Sequence, residues 1–93
     1  MYYVYILVSK SNSAMYIGVT NNLRRRMQEH IANQASEFTK KYHTHKLVYF
    51  EEYTEINEAI AREKQLKRWS RQKKNALVER ENPSYNDLGE AFF

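Results

Sequence analysis

Between Met15 and Ile31 the hydrophobic period of the chain changes once, from two residues to about 3.6, and that change dictates a strand followed closely by a helix. Met15, Tyr16, Ile17 and Val19 read as strand, interrupted at Gly18 and then by the polar run Thr20-Asn21-Asn22. Leu23, Met27 and Ile31 follow at helical spacing and define an apolar stripe. Two polar residues share it. Arg26 is three past Leu23 and His30 is four past Arg26, so the spacing predicts both on the inward side. A charged or polar head taken out of water needs a partner, so these positions demand an explanation that Arg24 and Arg25 do not.

A chain of 93 residues is one domain that buries roughly 60 to 65% of its unfolded surface around a modest core. It has no cysteine, which removes disulfides, thiolate metal sites and thiol nucleophiles together and fits a reducing compartment. The opening Met-Tyr-Tyr-Val-Tyr-Ile-Leu-Val lacks a basic n-region and a cleavage site, and no apolar run approaches about 18 residues. The expectation is a soluble, cytoplasmic protein without a membrane partner. Net charge is +4, and the excess is concentrated. From Arg62 to Arg80 eight basic residues (Arg62, Lys64, Lys67, Arg68, Arg71, Lys73, Lys74, Arg80) face two acids (Glu63, Glu79), a local charge of +6. Such a field suits a polyanion, nucleic acid above all; a solvated helical face is the other reading.

Tyr2 to Val8 reads as a strand with both faces apolar, Tyr3, Tyr5 and Leu7 on one side and Tyr2, Val4, Ile6 and Val8 on the other. Ser9 to Ser13 is turn material, so this strand and the next form an antiparallel hairpin. A turn centred between Lys10 and Ser11 places Tyr5 directly across from Tyr16, with Cβ atoms about 5 Å apart. That pair is either ordinary sheet packing or part of a site. Gly18, on the same face as Tyr16, marks a place where a ligand or another segment approaches the backbone.

Ala32 to Lys46 lacks a period and reads as a loop with one short turn; His43 and His45 in it are spaced as a metal pair or as solvated loop residues. Leu47 to Tyr53 is a third strand, with Val48 and Phe50 on one side and Leu47, Tyr49 and Tyr53 on the other. Thr54 is the expected N-cap of a second helix whose stripe is Ile56, Ala59, Ile60, Glu63 and Leu66. Glu63 stands where that pattern calls for an apolar residue, as a salt-bridged residue at the stripe edge or as a functional carboxylate. A break at Trp69-Ser70 precedes a short basic helix from Arg71 to about Arg80, with Ala76, Leu77 and Val78 inward. Residues 1–80 are thus expected to form the domain and 81–93 a loosely ordered tail.

The phenols, Arg26 with His30, and Glu63 would supply a base, a cation for anionic oxygens and a metal-binding carboxylate, the parts that phosphodiester hydrolysis requires. At this point the residues resemble the GIY-YIG nuclease superfamily, in particular its small stand-alone bacterial members, over about residues 2 to 80. Tyr3-Val4-Tyr5 stands where that family has Gly-Ile-Tyr, and Tyr16-Ile17-Gly18 is its second tripeptide intact, eleven residues after Tyr5. Arg26 and His30 fall where the family has its arginine and a downstream His or Tyr. Ala61 to Trp69 looks like the helix bearing its metal-binding glutamate, here Glu63, and Asn75 resembles a further active-site Asn.

The resemblance implies an α+β fold, a three-stranded antiparallel sheet flanked by helices in the order β-β-α-β-α-α. It also implies one divalent cation, Mg²⁺ or Mn²⁺, held chiefly by Glu63 with waters and substrate phosphate completing the shell. Tyr16, as phenolate or aided by the metal, would take a proton from the attacking water, with Arg26 stabilising the phenolate or the phosphoryl oxygens. Tyr5 and His30 would position water or phosphate. Lys64, Lys67, Arg68, Arg71, Lys73 and Lys74, with Gly18 and Asn75, would contact nucleic acid, DNA rather than RNA. Two departures stand out: Tyr3 replaces the first Gly, and Val19 sits where relatives are often polar or basic. With a single small domain, sequence targeting is expected to come from a protein partner or to be absent. The rival readings are a nucleic-acid-binding module of the same fold without the chemistry, and a protein-interaction domain using the surplus tyrosines.

Overall fold

The computed structural model describes residues 1–32 and 37–91. Three strands, β1 (Tyr2–Val8), β2 (Met15–Thr20) and β3 (Lys46–Tyr53), form one antiparallel sheet in the order β2-β1-β3. Among the described residues four α-helices surround it, α1 (Leu23–Ile31), α2 (Glu37–Tyr42), α3 (Ile56–Arg68) and α4 (Arg71–Glu81), with a 3₁₀ turn at Leu88–Ala91. Central β1 is buried from Val4 to Val8, as two apolar faces require. On one side Val4, Ile6 and Val8 pack with Ala59 and Leu66 of α3 and Leu77 and Val78 of α4. On the other, Tyr5 and Leu7 pack with Leu23 and Met27 of α1.

The hairpin register differs from the expected one by two residues. Tyr5 lies opposite Gly18, and Tyr16 lies opposite Leu7. The cause is a longer turn, closed by a hydrogen bond from Ser9 N to Ala14 O at 3.0 Å, with Asn12 in the left-handed region at φ 62°. Because side chains alternate with a period of two, a shift of two leaves every side chain on its face. Tyr5 and Tyr16 therefore remain neighbours, on the diagonal.

In β3 strict alternation fails. Ile6 pairs with Tyr49 but Leu7 with Leu47, so Val48 is the extra residue of a β-bulge. Val48 and Tyr49 both join the α3/α4 side, whereas Leu47 and Phe50 join the α1 side. The segment read as loop contains α2, which buries only Thr39 and so offers no apolar period; residues 33–36, part of the same expectation, lie outside the described residues.

Helix α1 starts where Asn22 Oδ1 accepts a hydrogen bond from Arg25 N at 3.0 Å, but Ile31 at its end is exposed, leaving Leu23, Met27 and His30 as its buried stripe. Helix α3 is entered from Glu55 without a side-chain cap rather than from Thr54, and Ile56 is exposed. Ser70 caps α4 through Lys73 N at 3.2 Å; Leu77 and Val78 are buried, but Ala76 faces out.

Past residue 80 the loose tail expected there is instead pinned over 82–91, because β3 is an edge strand whose bulge leaves backbone groups to satisfy. Asn82 Nδ2 donates to Val48 O at 3.1 Å, and Asp87 Oδ1 accepts from Leu47 N at 3.1 Å. Phe92 and Phe93 lie outside the described residues.

Candidate active site

The site is built outward from Tyr5. Its phenol lies across Gly18: a Cβ at that position would overlap the Tyr5 hydroxyl and lie 2.5 Å from Cζ. The gap left by the missing side chain is thus filled from within the protein, and the segment approaching the backbone at Gly18 is Tyr5 rather than a ligand. Tyr5 Oη is 3.1 Å from Nε2 of His30, one helix away on α1, and both side chains are fully buried. Tyr16, half-buried on β2, completes a triangle of rings, 6.3 Å from Tyr5 and 5.4 Å from His30 between centroids.

Arg26 and Glu63 bring opposite charges to the same phenol. Burial raises the Tyr5 pKa well above the ordinary tyrosine range and Tyr16 adds to the rise; Arg26 opposes it through charge and hydrogen bonding, and the Glu63 carboxylate raises it further. Tyr5 therefore keeps its proton. His30 is lowered to about 4, first by burial and then by the Arg26 and His45 charges, against a small upward pull from Glu29. It is neutral at pH 7, which leaves Arg26 as the cation facing the phenols. Nδ1 of the neutral ring is buried with no hydrogen-bond partner among the described residues.

Arg26 holds Glu29 Oε1 at 3.0 Å and lines a cleft of about 220 Å³ with Tyr2, Val19, Thr20, Asn21 and Ile56, between α1, the end of β2 and the start of α3. Glu63 sits on α3 between buried Ala59 and Leu66, its side chain 17% exposed, with Lys67 Nζ at 3.5 Å. The salt-bridged edge reading of its place in the stripe is the one observed. Its charge adds a small upward push to the pKa of Tyr5.

The basic positions divide. Arg71 Nε donates to Asn75 Oδ1 at 2.9 Å, while its two terminal nitrogens donate to the carbonyls of Ser13 and Asn12. The pair clamps the turn that leads into Tyr16. Lys73 Nζ lies 4.2 Å from the Trp69 ring centroid, and Lys67 faces Glu63. Lys64 and Arg68 are exposed on α3, and Lys74 is half-buried on α4.

Sequence reasoning missed a second polar cluster on the α3/α4 side. Glu51 accepts from Tyr49 at 2.5 Å, from Tyr53 at 2.7 Å and from Arg62 Nε and Nη2 at 2.9 and 3.0 Å; burial pushes its carboxyl pKa up, but these bonds together outweigh burial and hold it below the usual range. Tyr49, Glu51 and Tyr53 at i, i+2 and i+4 carried the signal, since alternate strand residues share a face. Arg62, counted among the basic residues, is committed here. His43 and His45 stack edge to face at 5.9 Å, and among the described residues no three His, Cys, Asp or Glu side chains gather as a metal-binding group.

Residues 1–76 match the model of the GIY-YIG catalytic domain. The chain belongs to the GIY-YIG family. Among its relatives, a UPF0213 protein of Staphylococcus haemolyticus is 38% identical over 78 residues, covering 84% of this chain and 94% of that one. A UPF0213 protein of Clostridium perfringens is 40% identical over 78 residues, 84% of this chain and 83% of its own. The solution NMR structure of a UPF0213 protein from Bacillus halodurans superposes with a TM-score of 0.59 at 31% identity, covering 94% of this chain and 93% of that one. The α+β fold implied by the tripeptides is therefore the fold of the GIY-YIG domain described here, a nuclease-type family whose members generally act on nucleic acid with a divalent metal. Among the described residues no helix is long and apolar enough to cross a membrane.

Proposed function

We propose that this GIY-YIG domain is a metal-dependent endonuclease hydrolysing phosphodiester bonds in DNA. One observation carries the reading: Tyr16 of β2 and His30 of α1 pack against the buried phenol of Tyr5 on β1, whose pKa also feels the charges of Arg26 on α1 and Glu63 on α3. Tyr16 is the phenol of the pair that solvent reaches, and in its phenolate form, its own proton already released to solvent, it takes the proton of the attacking water. Arg26, at the wall of the cleft, holds the phosphoryl oxygens as charge builds on them. Tyr5 and His30, with no exposed surface, act as positioning residues that fix Tyr16 and Arg26.

Glu63 fits a divalent ion in a limited way: it is a largely covered carboxylate, and one such ligand is sufficient for Mg²⁺ or Mn²⁺ when substrate phosphate and water fill the rest. Once bound, the ion would polarise the phosphoryl oxygen.

The test is conversion of supercoiled plasmid to nicked circles with Mg²⁺ or Mn²⁺. The parent is expected to nick, and Tyr16→Phe and Glu63→Ala to lose about 100-fold or more. Variants that nick as fast as the parent would remove both roles. A second reading, binding without chemistry, is favoured by the Lys67 contact that already offsets Glu63. It expects salt-sensitive binding, weakened by neutralising Lys67, Arg68, Lys73 and Lys74, and no cleavage with either metal.

A further inference from the structure

Helix α2 is organised the wrong way round for a packing helix. It buries a threonine, Thr39, and leaves two aromatic side chains in solvent, Phe38 39% and Tyr42 45% exposed. Large aromatic rings normally supply the buried face of an element, so two exposed ones at i, i+4 form a surface in need of a function.

That surface is continuous with the site. The Tyr42 and Phe38 rings are 4.7 Å apart, and Phe38 is 5.9 Å from Tyr16, which in turn is 5.4 Å from His30. An unbroken file of rings thus runs from open solvent to the phenol at which the phosphodiester is to be attacked. Lys40 and Lys41 stand exposed beside it, with Lys41 Nζ 5.3 Å from the Tyr42 centroid.

Aromatic faces flanked by cations match the needs of one ligand in particular. Nucleobases stack on aromatic rings while their phosphates seek positive charge, and this pairing recurs wherever single strands are held. In continuous duplex both faces of each base are already covered by neighbours. Only an unpaired base has a face to offer.

We infer that Phe38 and Tyr42 are a stacking platform for unpaired bases next to the phosphate held at Tyr16, so that the site takes single-stranded DNA in preference to continuous duplex. The inference rests on the nuclease reading above and specifies its substrate class. Phe38 supplies the face next to the reacting phosphate, Tyr42 the face one base further out, and Lys40 and Lys41 the charge for the connecting backbone.

The experiment titrates the full chain into a fluorescein-labelled single-stranded DNA oligonucleotide, its blunt duplex and the single-stranded RNA of the same sequence. Anisotropy is read in EDTA so that no cleavage intervenes. The parent is expected to bind the DNA single strand about tenfold or more tighter than the duplex. Phe38→Ala and Tyr42→Ala should each weaken single-strand binding about 5- to 150-fold and leave the duplex within about twofold. Phe38→Leu, which keeps an apolar contact for Tyr16 but has no π face, should lose as much as Phe38→Ala, and Phe38→Tyr should retain parental binding.

Equal losses on both DNA forms, no loss in the Ala and Leu variants, or tighter binding of the RNA than of the DNA would overturn the platform. Duplex binding and nicking without any preference for the single strand would overturn it alone and leave the nuclease reading standing. A parent that binds none of the three would end both.

Discussion

Tyr5 and Gly18 occupy one volume, and each explains the other. The phenol reaches His30 only because the facing strand position lacks a Cβ, so Gly18→Ala is expected to destabilise by about 1–3 kcal/mol in urea unfolding, overlap outweighing the few tenths that a stiffer unfolded chain returns. His30 supplies a second prediction. Its pKa is about 4 folded against 6.5 in an open chain, so between those values the unfolded state holds a proton that the folded state does not. Stability must therefore fall as pH drops through that window, by up to about 3 kcal/mol, and be fully present above 6.5. Urea midpoints across the window should fall less steeply in His30→Gln, which does not titrate. These residues were legible in the sequence because each broke a pattern: Arg26, His30 and Glu63 as polar residues in apolar stripes, Gly18 as a gap in a strand. Phe38 broke none, since an isolated aromatic in a segment without a period does not declare whether it is buried.

Elements were legible where a long hydrophobic period defined them and obscure where a turn or a single inserted residue did. The three strands and the helices α1 and α3 follow from their periods and α4 from the break at Trp69-Ser70 before it, whereas the hairpin register depended on Asn12 adopting positive φ, and the bulge at Val48 on one residue that leaves composition unchanged. Helix α2, six residues long with one buried side chain, had no amphipathic signature to read. The turn also shows why one basic position cannot be judged from charge. Arg71 and Asn75 resemble nucleic-acid contacts by location, yet they are committed to the carbonyls of Asn12 and Ser13 and to each other. Arg71→Met is expected to cost about 1–3 kcal/mol, and hydrogen exchange should speed up at the amides of Ala14 and Met15 more than in β3. Slower loss of structure in the turn than in β3 would mean the clamp is idle.

Across the molecule, a sheet covered on both faces divides the labour. Helix α1 brings Arg26 and His30 to one face, α3 and α4 close the other, and Glu63 on α3 still reaches the electrostatic environment of Tyr5. The +6 charge from Arg62 to Arg80 is less available than its count suggests, because Arg62 is held by Glu51, Lys67 by Glu63 and Arg71 by the turn. The proposed nuclease requires that groups distant in the chain form a single seat for a divalent cation and a phosphate. Titration with Mn²⁺ followed by NMR tests this most directly, since the ion broadens the signals of nuclei around it. Broadening centred on Glu63 that takes in Tyr16 and Arg26, and that disappears in Glu63→Gln, is the predicted result. Broadening centred elsewhere, such as at His43 and His45, or unchanged by Glu63→Gln, would contradict it.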